Sequence, residues 1–338
     1  MKILFRIAGG ARASNELGTG HIFRAINLSK MLKNHEIMFA IQDYGGIKEI
    51  CKKMQILNTK FLSINNSIKE DYEETLKIII KNDIDIVIVD KINTKKSYLK
   101  KLQSKIFTVY ITDLIDYEFP ANLVINGFVG LKNEIIKNKF NSKCVLGPSH
   151  QILSNRYMRK SKFKKKYDLL ITFGGYDANN LIEKLCDILP KFLPKLKVKI
   201  ILGPITKKPV CLKLMENKFK SKLKVINYTN NLRKEILQSK FGLCSGGLTT
   251  YEFASSKVPF AIICQYSHQQ LTAREWEKQG HAFNFGHNDK NLTIKIKNLL
   301  SNLIKNEIKL SIKDNVIDGF GVKRVADIIL ESYNKNQR

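Results

Sequence analysis

Runs of Ile, Val, Leu and Phe that stay apolar without alternation recur along the chain, and segments of helical period separate them. A strand with no polar–apolar alternation is covered on both faces, which is the condition of a parallel sheet sandwiched between helices. The candidate strands are Ile3–Ile7, Ile37–Ile41, Ile84–Val89, Phe107–Ile111 and Leu123–Ile125, then Leu169–Phe173, Val198–Leu202, Leu223–Ile226, Phe241–Cys244 and Phe260–Cys264. After Gly20, the residues Ile22, Ala25, Ile26, Ser29 and Leu32 share one helical face; Leu181–Leu189 and Tyr251–Ser255 have similar character. Strand–helix alternation predicts doubly wound α/β sheets, and its renewal after residue 165 predicts two of them. A linker at about 148–167, holding Pro148 and the run Lys162–Lys166, separates an N-terminal domain over 1–147 from a C-terminal domain over 168–312. The remainder, 313–338, reads as a helix followed by a short tail.

A chain of 338 residues, 43% hydrophobic, can bury two cores. The opening run breaks at Gly9-Gly10, too early for a secretory signal, and no apolar stretch approaches the roughly 20 residues needed to cross a bilayer. The expected location is cytoplasmic. Six cysteines without a CxxC pair read as reduced core residues, and the histidines form neither HxH nor HExxH, so neither metal nor cofactor is expected. The formal charge of +28 is mostly lysine spread along the whole length. Without aromatic interleaving or a nucleic-acid-binding signature it reads as solvated surface; no specific nucleic acid is expected, and peripheral contact with an anionic membrane stays open as a partner.

Four motifs follow strands. Gly18-Thr19-Gly20-His21 opens the first helix, where bare N–H groups favour anions and the helix dipole favours a neutral imidazole; His21 is a candidate general base, or a structural histidine beside a turn. Gly174-Gly175, with Tyr176 and Asp177, ends a strand at the sheet edge where such folds bind ligands, or forms a plain turn capped by Asp177. Ser245-Gly246-Gly247-Leu248-Thr249-Thr250, with Glu252 in the following helix, combines backbone donors, hydroxyls and a carboxylate suited to a diphosphate and a ribose diol; a capped helix start is the plainer reading. Gln269 and Gln270, after Ser267-His268, can pair with sugar hydroxyls or belong to a polar loop.

In their order, GTGH at 18–21, LGPSHQIL at 146–153, ITFGGYD at 171–177, GGLTTYEF at 246–253 and DGFGVKRV at 318–325 resemble the PseG/SpsG-type UDP-sugar hydrolases, relatives of MurG. Tyr110–Leu114 and Leu123–Asn126 are similar to that family's IDDL…LLLN segment. The resemblance implies a GT-B fold, two Rossmann-like domains facing across a cleft, and a last helix that crosses back to the N-terminal domain. It implies a UDP-linked acetamido sugar as substrate, such as UDP-2,4-diacetamido-2,4,6-trideoxy-altrose on the way to pseudaminic acid. His21 would activate water for inverting attack, Gly246, Gly247, Thr249 and Thr250 would hold the diphosphate, Glu252 the ribose, and Gln269 and Gln270 the sugar or phosphate. Two segments depart from the pattern: Asp90-Lys91-Ile92 stands where the family has a tyrosine-bearing VDSY, and Gly9–Leu17 differs from the usual short polar loop. The same sites would serve a glycosyltransferase with a glycan or lipid acceptor, and the missing tyrosine would suit a non-catalytic nucleotide-sugar-binding protein.

Overall fold

The structure, a computed structural model, describes residues 1–10, 18–65, 67–287, 289–312 and 316–337. The chain divides into two compact units: Met1–Met158 with Asp318–Arg338, and Arg159–Ile317.

The first unit runs β1 (Lys2–Gly9), α1 (Gly20–Met31), β2 (Glu36–Asp43), α2 (Ile47–Lys53), β3 (Thr59–Leu62), α3 (Ile68–Lys81), β4 (Ile86–Asp90), α4 (Lys96–Gln103), β5 (Phe107–Thr112), β6 (Leu123–Asn126), β7 (Glu134–Lys137) and β8 (Lys143–Leu146). The strands form one sheet in the order β3-β2-β1-β4-β5-β6-β8-β7. All neighbours are parallel except the β7–β8 pair. Every residue of β4 and β5 is buried, as unbroken apolar runs require of central parallel strands. Helix α3 starts on a reciprocal cap in which Ser67 Oγ accepts from the Glu70 N–H and the Glu70 carboxylate accepts from the Ser67 N–H.

The second unit runs β9 (Tyr167–Thr172), α5 (Leu181–Ile188), β10 (Val198–Ile201), α6 (Val210–Lys218), β11 (Leu223–Ile226), α7 (Leu232–Leu237), β12 (Ser239–Ser245), α8 (Leu248–Ser255), β13 (Phe260–Cys264), α9 (Gln269–Lys278), β14 (Ala282–His287) and α10 (Leu292–Lys305). Its sheet, β11-β10-β9-β12-β13-β14, is parallel throughout. Leu169, Ile171, Val198, Ile200, Phe241 and Leu243 from three adjacent strands meet Leu181, Leu185 and Ile188 of α5 in one core.

The last helix, α11 (Gly321–Asn336), packs within the first unit, burying Val322, Val325, Ala326 and Ile329. A Cβ on Gly321 would sit 2.2 Å from the Gln151 carbonyl oxygen, so α11 is seated directly on the backbone that follows β8. The division between units falls at Met158/Arg159, eleven residues beyond the end of the expected 1–147 domain, because the segment after Pro148 turns under α11. Residues 313–315 of the expected C-terminal segment, and Ala11–Leu17 of the loop that departs from the family pattern, lie outside the described residues.

Four strands escaped the sequence reading. Edge strands β3 and β7 bury little, β7 carrying Glu134 and Lys137 at its ends, while β8 has only four residues and β14 is interrupted by Asn284. Two of the cysteines depart from the expectation of reduced core residues in their burial. All six are free, but Cys186 on α5 and Cys211 on α6 are half-buried with their sulfurs 2.7 Å apart.

Candidate active site

In the first sheet the chain winds outward from β1 through β2 to β3, then restarts at β4 on the other side of β1. The reversal makes the carboxyl ends of β1 and β4 a topological switch point, the place where open α/β sheets bind ligands. Gly18 follows β1 there, its carbonyl accepting from the Gly10 N–H at 3.3 Å, and Gly20 opens α1. A Cβ on either Gly18 or Gly20 would meet no described residue within 4 Å.

His21, on the first turn of α1, meets Asp90, the last residue of β4. Nδ1 of His21 lies 2.6 Å from Oδ1 of Asp90, and the imidazole stays 16% exposed beside a carboxylate that is 1% exposed. One turn further on, Arg24 is buried and grips Asp90 with two hydrogen bonds, Nε to Oδ2 at 2.9 Å and Nη2 to Oδ1 at 2.7 Å. Its remaining nitrogen, Nη1, donates to Oδ2 of Asp113, immediately after β5. Asn126, at the end of β6, donates to the Leu114 and Asp116 carbonyls and so fixes the loop that carries Asp113.

The charges are set by this geometry. Burial would raise the Asp90 carboxyl, but Arg24 and then His21 outweigh it and bring it down to about 2. Burial works against the Arg24 charge, yet Asp113 and Asp90 together hold that guanidinium above its ordinary range. Crowding by protein raises Asp113, and Arg24 more than offsets it, leaving the carboxyl below its usual value. With Asp90 ionised, a bare lone pair on Nδ1 at 2.6 Å would be repelled, so Nδ1 carries the proton and donates it. Nη2 of Arg24 lies within hydrogen-bond distance of both Nδ1, at 2.9 Å, and Oδ1 of Asp90, at 2.7 Å, and the tautomer is set by the shorter contact of Nδ1 with the anionic oxygen. Nε2 is then the basic nitrogen. A histidine oriented by a buried carboxylate, with its other nitrogen open, has the composition of a general base.

Lys91, where the family pattern departs, turns away from His21. Its ammonium donates to Asp71 and lies 5.0 Å from the Tyr98 ring centre, and Asp71 also pairs with the fully buried Arg6 of β1.

The second sheet repeats the switch point, between β9 and β12. Gly174 and Gly175 follow β9; Ser245, Gly246 and Gly247 end β12 and lead into α8. Gly174 has φ +76°, and a Cβ there would lie 3.4 Å from Ser245 Oγ, so the two glycine turns are brought side by side. A Cβ on Gly246 would sit 2.8 Å from Cβ of Gln269, a close approach that only glycine allows. Helix α8 begins at Leu248 with no side chain capping it, which leaves backbone donors at its start for an anion. Gly247, Leu248 and Glu252 are half-buried at this edge, and Thr249 is 5% exposed.

Thr250, Gln269 and Asp177 each make hydrogen bonds within the fold. Thr250 is fully buried; its hydroxyl donates to the Gly247 carbonyl at 2.8 Å and accepts from the Trp276 indole at 3.0 Å, so it cannot hold a diphosphate. Gln269 places Oε1 on the N–H groups of Gly246 and Gln265, at 3.2 and 2.9 Å, and acts by tying the β12 and β13 loops together. Asp177 accepts from the N–H groups of Leu181 and Ile182 at the start of α5, as the turn-and-cap reading has it. Gln270 is half-buried at the start of α9. Gln265 went unread in the sequence although its amide donates to the Phe173 and Tyr176 carbonyls and its oxygen accepts from the Ala178 N–H.

The segments 146–153 and 318–325 meet each other, not a site: Arg324 donates to the Ser149 carbonyl and pairs with Asp318, and Nδ1 of His150 lies 2.8 Å from the Leu146 carbonyl oxygen. Among the described residues, no group of three His, Cys, Asp or Glu side chains could hold a metal, and no helix is long and apolar enough to cross a membrane.

Two α/β units of this topology, each with glycine turns at its switch point, define a protein of the GT-B type. The crystal structure of MurG from Acinetobacter baumannii superimposes with a TM-score of 0.61 over 98% of this chain and 100% of that one, at 14% identity. The profile of the glycosyltransferase family 28 C-terminal domain matches residues 169–327. The spore coat polysaccharide biosynthesis protein SpsG of Bacillus subtilis is 23% identical over 339 residues, covering 95% of this chain and 96% of SpsG. The UDP-2,4-diacetamido-2,4,6-trideoxy-beta-L-altropyranose hydrolase of Campylobacter jejuni is 24% identical over 290 residues, 83% of this chain and 98% of that enzyme. An uncharacterised protein of Methanocaldococcus jannaschii is 25% identical over 274 residues, and the match spans 75% of this chain but only 54% of that longer protein. Together these similarities support a place for the chain among the PseG/SpsG-type relatives of MurG.

Proposed function

We propose that the protein is a UDP-sugar hydrolase, releasing UDP from a UDP-linked diacetamido deoxy sugar in the biosynthesis of a surface polysaccharide. The observation that carries this reading is the His21–Asp90 contact, a carboxylate-oriented histidine whose Nε2 has no hydrogen-bond partner among the described residues. Support comes from the names of two relatives, one a hydrolase of such a substrate and the other a polysaccharide biosynthesis protein.

In the reaction, the Gly246–Gly247 turn and the start of α8 take the diphosphate through backbone N–H groups, with Gly174, Gly175, Ser245 and Thr249 beside them and Glu252 on the ribose. Water gives one proton to Nε2 of His21 as its oxygen bonds to the anomeric carbon. The carbon–oxygen bond to the diphosphate breaks on the opposite face, and UDP leaves with the electron pair. Inversion follows because attack and departure use opposite faces. The residues named need no metal for this: helix-start donors carry the leaving-group charge. The working location is the cytoplasm, where nucleotide sugars are made, and peripheral docking on anionic membrane is a further proposal for the basic surface.

The match to a glycosyltransferase C-terminal domain favours one second reading, transfer to a glycan or lipid hydroxyl with the same histidine as base. Incubation with a panel of UDP-acetamido sugars, without acceptor, separates the two. Free UDP and a free sugar of inverted anomeric configuration support hydrolysis; UDP bound but released only when a hydroxyl acceptor is added supports transfer.

A further inference from the structure

The His21 cluster contains one cation and two anions, yet a bidentate Arg24–Asp90 pair would already be neutral. Asp113 is the surplus charge. It differs from Asp90 in its surroundings: the Asp90 carboxylate is 1% exposed with both oxygens engaged, whereas Asp113 is 42% exposed and only Oδ2 is held, by Arg24. Among the described residues, the Oδ1 atom of Asp113 and Nε2 of His21 have no hydrogen-bond partner, while Nδ1 of His21, both Asp90 oxygens and all three Arg24 nitrogens are used. The cluster therefore offers two open acceptors, one on α1 and one beyond β5, steered by a single buried guanidinium.

We infer that Asp113 is a second catalytic residue of this centre, accepting a hydrogen bond from the attacking water through Oδ1 and balancing the charge of Arg24. The inference rests on the hydrolase reading and deepens it. Water has two protons and needs two acceptors to fix the direction of its lone pair. One proton passes to Nε2 of His21 while the oxygen bonds to the anomeric carbon; the other remains on the product hydroxyl, held by Asp113. With neutral imidazole the cluster carries a net negative charge, and uptake of the proton brings it to zero. Without the Asp113 charge, the same uptake would leave a net positive centre beside the buried Arg24 guanidinium, which is the more expensive state. Among the described residues, Arg24 and Asp90 are the other charged groups that face His21, from α1 and β4, and both are already paired.

The test is Asp113→Asn, which keeps the shape and can still accept from Arg24 but removes the charge, beside Asp113→Glu, which restores it; Asp113→Ser serves if the amide disturbs folding. Two readings are taken on the full chain: UDP release from UDP-acetamido sugars, and the titration of the His21 imidazole by NMR. Asp113→Asn is expected to lower kcat by about 100-fold or more with KM changed less than about threefold, and Asp113→Glu to recover most of the rate. The imidazole midpoint is expected to move to lower pH by about half a unit or more in Asp113→Asn and to return in Asp113→Glu. A kcat within threefold of wild type, or an imidazole midpoint that does not move, overturns the inference. Absence of UDP release by the wild-type protein sinks the hydrolase reading instead, and the imidazole titration still decides whether Asp113 balances the charge.

Discussion

Nδ1 of His21 lies 2.6 Å from Oδ1 of Asp90, and the contact joins the helix that follows β1 to the end of β4, across the point where the sheet's winding reverses. The carboxylate fixes both the ring orientation and the tautomer. Asp90→Asn replaces an acceptor by an amide that can present a donor to Nδ1, so the proton shifts to Nε2 and the base is lost. The expected result is a fall in kcat of about 10²- to 10⁴-fold with KM little changed, read in steady-state UDP release.

Lys91 gives the fold a pH signature. Burial first, and Arg6 second, disfavour its charge, and Asp71 offsets them only in part, so its pKa drops from 10.5 to about 8. Between those two values the unfolded chain holds a proton that the folded chain has released, so stability rises with pH across that window, and below it the charged lysine opposes folding. Urea midpoints measured from pH 7.5 to 10.5 should climb more steeply for the wild type than for Lys91→Met. Equal slopes would show that the Arg6–Asp71–Lys91 group does not discriminate against the charge.

Thr250 and Trp276 separate fold from ligand in the second unit. Thr250→Val leaves the buried indole N–H and removes the bond to the Gly247 carbonyl, costing about 1–3 kcal/mol in denaturant unfolding. The change lies behind the glycine turn, and UDP affinity by calorimetry should stay within about threefold. A far larger loss of affinity, at unchanged stability, would return Thr250 to the ligand-facing set.

Cys186 and Cys211 sit with sulfurs 2.7 Å apart, inside the van der Waals contact of two thiols. Oxidised glutathione should convert the pair to a disulfide, releasing two molecules of reduced glutathione. Two of the six thiols then disappear from a count made in denaturant, and Cys186→Ser or Cys211→Ser abolishes the loss. Six titratable thiols after oxidation would show that α5 and α6 keep the sulfurs apart.

The sheets were legible in the sequence because central strands such as β4 and β12 must be apolar on both faces, whatever else the chain does. Edge strands were not: Thr59–Leu62 and Glu134–Lys137 bury too little to leave a pattern. The glycine turns and His21 could be read because backbone approach and helix starts impose local residue types. Their partners could not, since Asp90 is 69 residues from His21 and only the strand order brings them together. Arg24 did leave a sign. It occupies the buried stripe of α1, beside Ala25 and Leu28, where an unpaired charge would not be tolerated and a carboxylate must therefore stand opposite. Thr250 misled because a hydroxyl in a helix start looks the same in sequence whether it faces a ligand or an indole.

The most direct test of the account is UDP release by the purified chain from UDP-acetamido sugars, measured beside His21→Ala. Turnover without an acceptor that falls by about 10²- to 10⁴-fold in the variant, with UDP binding retained, is the predicted result. Equal rates in the two proteins, or no binding of UDP to either, would contradict it.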